Sequence, residues 1–190
     1  MPASASSIAD EKKERVNSGK IIILEARPLS EISLLKYLEK RHIPLAVAEK
    51  FLKEIGFLLN GKTRTVIGFQ NNAGGYELRS PHFKGSSSPK DVTFFEHNKE
   101  QLNVFEGFFN FLSHQAINKQ ESPPLTNFLV LNSLSFFQKQ RERMEQHQLI
   151  HLFLDRDSAG TNFTHQALRW SNKYIDQGHI YKKSLLSGKQ

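Results

Sequence analysis

Apolar residues recur at helical spacing in the first part of the folded region. Leucines and isoleucines repeat every three or four positions across residues 29–40, with Ser30 as a candidate N-cap. A second helix is predicted to begin at Pro44, because proline is tolerated in the first turn of a helix, and to end at Gly56. These patterns predict a short helical hairpin.

The pattern then changes from helical to extended. Residues 65–69 are rich in β-branched and aromatic side chains, residues 71–75 (NNAGG) have turn chemistry, and residues 76–79 are extended again. This arrangement predicts a β-hairpin. Residues 83–89 (FKGSSSP) are predicted to form a polar loop, and residues 91–95 a further strand.

Strands and helices are predicted to alternate from about residue 100 onwards. The predicted strands are 101–105, 127–131 and 149–154, and the predicted helices are 107–117, 134–147 and 159–174. Such alternation specifies a parallel sheet flanked by helices. We therefore expect a disordered leader over residues 1–19, a small α+β subdomain over 20–98 and an α/β domain over 99–190.

Composition restricts the class of protein. The 190 residues include no cysteine, which excludes disulfides, iron–sulfur clusters and zinc ribbons and favours a cytoplasmic location. No apolar run approaches the roughly 18 residues of a membrane span, so no membrane contact is expected. Lys and Arg total 26 against 19 Asp and Glu, a net charge of +7. This excess favours a polyanionic partner such as nucleic acid, although a basic surface also promotes solubility.

Three carboxylates stand where predicted strands end and helices begin. Glu106 follows one strand, and Asp155 and Asp157 follow another. The carboxyl ends of parallel strands are where α/β sheets gather functional groups. Residues two positions apart in an extended chain point to the same side, so Asp155 and Asp157 are predicted to lie together.

A cluster of three such charges requires protons or a cation to offset the repulsion between them. An all-oxygen donor set suits Mg²⁺ or Mn²⁺, which can align a phosphate and stabilise charge during phosphoryl transfer. A second interpretation is equally compatible with the residues alone. In that interpretation, Asp155 and Asp157 are helix N-terminal residues that interact with the helix dipole.

Two segments resemble the motifs of Toprim domains. Residues 104–113 (VFEGFFNFLS) resemble the first motif, in which a strand runs into Glu-Gly and then a helix, and residues 151–160 (HLFLDRDSAG) resemble the Asp-x-Asp motif. Upstream, residues 66–95 and residues 37–51 are similar to the segments that precede the Toprim part of bacterial DNA primases. The resemblance covers roughly residues 29–175 and is to the catalytic core of primases of the kind carried on mobile elements.

The resemblance implies a Toprim-like parallel sheet flanked by helices and preceded by a small α+β primase-like subdomain. It implies Mg²⁺-dependent, or Mn²⁺-dependent, nucleotidyl transfer on single-stranded DNA. Glu106 would then act as a general acid/base or a metal ligand, and Asp155 and Asp157 would bind the metal.

The resemblance also implies a basic face and a set of partners. Arg79, Lys84 and Lys90 would hold phosphates of the template or the incoming nucleotide, through contacts that give affinity without sequence choice. Taken alone, residues such as Arg79 and Lys84 are more often solvated surface charges. The implied partners are a single-stranded DNA template, nucleotides, and a helicase or a separate protein that supplies a zinc module.

The chain departs from the family pattern in three places. The first motif usually continues to an Asp where this chain has Asn110. Without cysteine the chain lacks the zinc ribbon that primases normally carry. Residues 174–190 stop where relatives tend to continue, which predicts a shortened C-terminal sheet. These departures favour an alternative, a nucleic-acid-binding Toprim accessory protein without turnover. A Toprim nuclease, which cuts with a similar set of carboxylates, is a further alternative.

Overall fold

The computed structural model describes residues 19–118 and 125–179. Its elements follow one another in this order: β1 (Ile22–Arg27), α1 (Ile32–Lys40), α2 (Leu45–Phe51), β2 (Leu52–Leu59), β3 (Lys62–Gln70), β4 (Tyr76–Ser80), β5 (Phe83–Ser86), β6 (Thr93–Phe95), β7 (Gln101–Phe105), α3 (Phe108–Ile117), β8 (Asn127–Val130), two 3₁₀ turns (Leu134–Phe136 and Gln138–Gln140), α4 (Arg141–Glu145), β9 (Leu149–Phe153), α5 (Ser158–Trp170) and β10 (Tyr174–Asp176). Apart from residue 19, the predicted leader lies outside the described residues. No helix in the described ranges is long and apolar enough to cross a membrane.

The first sheet is antiparallel and has the strand order β1-β2-β3-β4-β5. Its inner face carries a buried apolar cluster that includes Ile55 and Phe57 of β2. Ile23 from one edge strand and Phe83 from the opposite edge strand both pack against this cluster. The rings of Phe57 and Phe83 lie 5.0 Å apart between centroids. The two edges of the sheet therefore close around one core.

The second sheet has the order β10-β9-β7-β8-β6, and its helices cover both faces. β7, β8, β9 and β10 are parallel, and β6 is an antiparallel edge strand. One face packs on α4 and α5 through residues such as Met144 and Ala167. The other face packs on α1, α2 and α3. The predicted parallel sheet flanked by helices, with a preceding α+β subdomain, is thereby confirmed.

One aromatic core joins the two sheets. Phe69 of β3 lies 5.2 Å from Phe108 of α3, ring centroid to centroid, and 6.0 Å from Phe111. Both of these α3 residues are buried, and Phe111 also contacts Phe105 at the end of β7. This packing fixes the first sheet against the helix that follows β7. β6 lies before the predicted boundary at residue 98 and pairs with β8 in the second sheet.

Most of the elements predicted after residue 100 are present. In the first half, the helix predicted from Pro44 to Gly56 is wrong at its C-terminal end. α2 ends at Phe51, and Leu52 begins β2. β2 pairs with β3 along its whole length, and Ile55 enters the core of the first sheet. The ladder hydrogen bonds and this core outweigh the helical spacing of the apolar residues.

Residues 83–89, predicted as a polar loop, contain β5, which pairs with β4. Residues 22–27 carried no predicted element and form β1, which pairs with β2. Both are edge strands with mostly solvent-accessible side chains. Both strands form by backbone pairing with a neighbouring strand. β5 (FKGS) carries little apolar pattern, whereas β1 (IILEAR) begins with a β-prone apolar run that was a usable signal.

Two predicted helices are shorter than expected. Residues 134–147 form two 3₁₀ turns and α4 instead of one helix, and the Ser133 hydroxyl accepts a hydrogen bond from the N–H of Ser135 at the first of these turns. The helix predicted over 159–174 ends at Trp170. Tyr174 begins β10, which pairs in parallel with β9, so strand pairing ends the helical run.

A buried carboxylate fixes the start of α1. The predicted N-cap, Ser30, does not cap the helix with its side chain; the N-cap residue is Glu31, which also makes no side-chain cap bond. Glu54 Oε2 accepts hydrogen bonds from the backbone N–H of Ser30 (3.0 Å) and of Glu31 (2.8 Å). Its Oε1 accepts from Arg27 Nε at 2.8 Å. A residue distant in sequence therefore supplies the cap.

Candidate active site

The carboxyl ends of β7 and β9 bring two of the predicted acidic residues together. Phe105 and Phe153 pair at the ends of these parallel strands, so the chain leaves both strands side by side. Glu106 Oε2 accepts a hydrogen bond from the backbone N–H of Asp155 at 3.1 Å. Asp155 Oδ1 in turn accepts one from Asn110 Nδ2 at 2.7 Å.

Glu106 has a strongly perturbed pKa. Burial raises it, and the nearby charges of Asp155 and Asp157 raise it further, to about 7. The N–H of Asp155 and the positive charge of Lys84 act in the opposite direction. A carboxyl group with a pKa near neutrality can accept and release a proton under ordinary conditions.

Asp157 lies in a different local setting from Asp155. It is the N-cap residue of α5, and its Oδ1 accepts a hydrogen bond from the N–H of Gly160 at 2.9 Å. The helix N-terminal interpretation therefore describes the contact of Asp157, whereas Asp155 lines a groove beside Glu106.

The pair formed by Glu106 and Asp155 fits a hard divalent cation. Mg²⁺ commonly uses one or two carboxylates and completes its shell with water and substrate phosphates. Within residues 19–118 and 125–179, no group of three His, Cys, Asp or Glu side chains is arranged to hold a metal ion. The donor chemistry therefore suits a cation held by two carboxylates, with the charge of Asp157 near enough to affect Glu106.

The groove has a volume of about 800 Å³ and lies between the first sheet and the carboxyl edge of the second. One wall is acidic and comprises Glu106 and Asp155. The opposite wall carries the three predicted basic residues, which are Arg79, Lys84 and Lys90. The structure therefore places these basic side chains and the two carboxylates around one cavity.

Comparisons with known proteins agree with this architecture. Residues 103–185 match a family described as Toprim-like, and residues 23–88 match a domain of unknown function, DUF8464. The second sheet and its helices form a Toprim-like core. No curated protein matches the sequence of the chain.

Two solved structures share this core. One is the primase fragment of the bacteriophage T7 primase-helicase protein, with 19% identity and a TM-score of 0.54 over 73% of this chain and 63% of that chain. The other is a chain from the bacteriophage T7 lagging-strand DNA polymerase interacting with primase domains bound to an RNA/DNA hybrid and dTTP. It has 17% identity and a TM-score of 0.56 over 80% of this chain and 79% of that one. These likenesses show the fold, and this chain spans less than two thirds of the T7 primase fragment.

Arg79 is held within the wall of the groove. Its Nη1 donates hydrogen bonds to the carbonyl oxygens of Leu78 (2.8 Å) and Gly85 (3.1 Å). Its guanidinium lies 5.7 Å from the ring centroid of Phe108, two residues after Glu106. Arg79 therefore links the first sheet to the start of α3 as well as adding charge to the groove.

Sequence reasoning missed Glu77, a buried acid on the basic wall. Its Oε2 lies 3.8 Å from Arg79 Nη1. Burial raises the pKa of Glu77, while the charges of Arg79, Lys90 and Lys84 act to lower it. The available signal was its position two residues before Arg79 on one strand, since residues at this spacing share a face. The loop that follows β8 also lines the groove, and its place at a strand end was a comparable signal.

Gly160 allows the first turn of α5 to approach Asp155. A Cβ at this position would lie 2.1 Å from the backbone carbonyl oxygen of Asp155, which requires the backbone to move. We expect Gly160→Ala to lower the free energy of unfolding by roughly 1–3 kcal/mol, the usual cost of overpacking, in urea denaturation. Gly107→Ala is the matched control, because a Cβ there meets nothing within 4 Å. Equal stability of the two variants would contradict this role for Gly160.

Proposed function

We propose that this protein is a metal-dependent nucleotidyltransferase of the primase type, which joins nucleotides on a single-stranded DNA template. The observation that carries the proposal is the pairing of Glu106 with Asp155 in a groove whose other wall holds Lys84 and Lys90. Acidic and basic walls that face each other suit a reaction in which a cation and a polyphosphate meet.

Each wall has a defined part in the proposed reaction. Glu106 and Asp155 would hold Mg²⁺ or Mn²⁺, which when bound neutralises phosphate charge, and Asp157 would add negative charge from the start of α5. Lys84, Lys90 and Arg79 would hold the phosphates of the nucleotide or template. Contacts of this kind position the backbone of a nucleic acid without reading its sequence.

The proton of the attacking hydroxyl needs an acceptor. In the proposed step, the 3′-hydroxyl of one nucleotide forms a bond to the α-phosphorus of an incoming nucleoside triphosphate. The bond from that phosphorus to pyrophosphate breaks, and pyrophosphate leaves. Where Glu106 does not coordinate the cation, it would accept the hydroxyl proton in its ionised form, because its pKa is about 7 in the site without a cation. Where Glu106 is a ligand of the cation, the proton would pass to water.

Primer synthesis is the direct test of this function. The full chain would be incubated with single-stranded DNA, labelled nucleotides and Mg²⁺ or Mn²⁺, and the products separated by length. Template-dependent oligonucleotides are the expected result, and their absence with both metals would contradict the proposal. Binding of DNA without synthesis favours the accessory protein, and metal-dependent cutting of plasmid DNA favours the Toprim nuclease. A helicase, a separate zinc-module protein and a mobile-element origin remain predictions that follow from the same resemblance.

Lys84 is expected to contribute directly to nucleic-acid binding. We expect Lys84→Gln to weaken binding of single-stranded DNA about 3–10-fold at low salt and to reduce the slope of log affinity against log salt by about 0.7, because one phosphate contact is lost. Fluorescence anisotropy over a salt series measures both quantities. Lys36→Gln is the matched control, since Lys36 is exposed on α1 and does not line the groove. Equal affinities and slopes for the two variants would show that Lys84 is a solvated surface charge.

A further inference from the structure

Asn110 connects the two acidic segments at the carboxyl edge of the second sheet. It lies in the first turn of α3, where its backbone N–H donates to the carbonyl of Gly107 at 3.2 Å. Its side-chain Nδ2 donates to Asp155 Oδ1 at 2.7 Å. The N–H of Asp155 donates to Glu106 Oε2 at 3.1 Å. Glu106, just before Gly107, and Asn110, three residues after it, therefore both hydrogen-bond to Asp155.

The direction of the hydrogen bond between Asn110 and Asp155 depends on the side-chain amide of Asn110. An amide NH₂ group donates and carries no charge, so it orients a carboxylate without adding to the negative charge of the site. An aspartate at the same position cannot donate when ionised and would stand beside Asp155 as a like charge. Asn110 therefore stabilises the ionised form of Asp155 in one orientation.

Chain donors engage one oxygen of each acidic side chain at this edge. These oxygens are Glu106 Oε2, Asp155 Oδ1 and Asp157 Oδ1. Hydrogen bonds of this kind from the protein orient the carboxylates that hold a metal ion.

On this basis we propose that Asn110 is a positioning residue. It holds Asp155 Oδ1 through its amide and thereby keeps the Asp155 carboxylate in one orientation for a divalent cation. This inference rests on the metal-dependent function proposed above and adds to it the residue that orients one of the two proposed ligands.

Binding of Mn²⁺ to the full-length chain tests the inference without an activity assay. The number of bound ions and the dissociation constant would be measured by isothermal titration calorimetry and by electron paramagnetic resonance of free Mn²⁺. Three proteins would be compared: the unchanged chain, Asn110→Ala and Asn162→Ala. Asn162 undergoes the same chemical change on the exposed side of α5 and does not line the groove.

The unchanged chain and Asn162→Ala are expected to bind Mn²⁺ with the same dissociation constant. Asn110→Ala is expected to bind Mn²⁺ roughly 10–100-fold more weakly, as when a residue that orients a metal ligand is removed.

Each contrary outcome removes a defined part of the inference. Unchanged affinity in Asn110→Ala would overturn the positioning role. Absence of Mn²⁺ binding by the unchanged chain would overturn that role together with the metal site of the proposed function. Normal Mn²⁺ binding without primer synthesis would instead reject the proposed reaction and leave the positioning role intact.

Discussion

Replacement of Asp155 by Asn is expected to reduce metal-dependent primer synthesis by roughly 10²–10⁴-fold. The change removes one of the two carboxylates proposed to hold the cation, whose charge stabilisation in the transition state amounts to several kcal/mol. Asn has nearly the same shape as Asp, and the backbone N–H that donates to Glu106 Oε2 is retained. The fold is therefore expected to persist. Initial rates of primer synthesis at saturating Mg²⁺ measure the effect, and circular dichroism checks the fold.

Asp91→Asn provides the matched control for this loss of charge. Asp91 lies outside the groove, where its carboxylate accepts a hydrogen bond from the N–H of Val92. An Asn side chain can accept the same bond, so synthesis is expected to stay within about twofold of the unchanged protein. Normal synthesis by the Asp155→Asn protein would remove Asp155 from the proposed mechanism.

The largest expected effect on stability comes from Glu54→Ala. This substitution removes a fully buried carboxylate and with it the acceptors of the Ser30 and Glu31 N–H groups and of Arg27. We expect the free energy of unfolding to fall by roughly 2–4 kcal/mol, because hydrogen bonds to a charged group are lost and a cavity is left. Urea denaturation at pH 7 measures the change. Glu49→Ala is the control, since Glu49 is exposed on α2, and an equal loss in both variants would contradict the cap.

The contribution of Glu54 is also expected to depend on pH. Burial alone would raise the pKa of Glu54, but the N–H groups of Glu31 and Ser30 and the Arg27 guanidinium outweigh burial and hold the pKa below its usual value. Between the folded and the unfolded pKa of Glu54, the unfolded chain binds more protons than the folded chain, so stability falls as the pH is lowered. The contribution is full above the unfolded pKa of about 4.5 and is lost as the pH falls through the folded pKa. Glu54→Gln should flatten this part of the curve of stability against pH.

Local patterns predicted the part of the fold that carries the acidic residues. The apolar run that ends at Phe105 and the one that ends at Phe153 are buried strands, and Glu106 and Asp155 follow them as expected. This succeeded because strands buried on both faces are mostly apolar, and only Asn103 and His151 interrupt the apolar residues that precede Glu106 and Asp155. The parallel arrangement then places the ends of such strands at one edge.

The segments that failed depend on partners distant in the chain. Leu52 to Ile55 have helical spacing, but pairing with β3 makes them a strand. Tyr174 continues a helical pattern, yet it begins β10, an edge strand that pairs with β9. In each case, hydrogen bonds to another strand are worth more than the local preference, and nothing within the segment records that partner.

The sequence by itself determined which residues follow the buried strands, the excess of positive charge and the absence of cysteine chemistry. Only the tertiary structure decided that Asn110 bonds to Asp155, that Asp157 caps α5 and that Glu77 lies among the groove cations. The reason is physical. Spacing along a chain fixes which side chains share a face of one element, whereas contacts between elements depend on how two sheets and an aromatic core pack together.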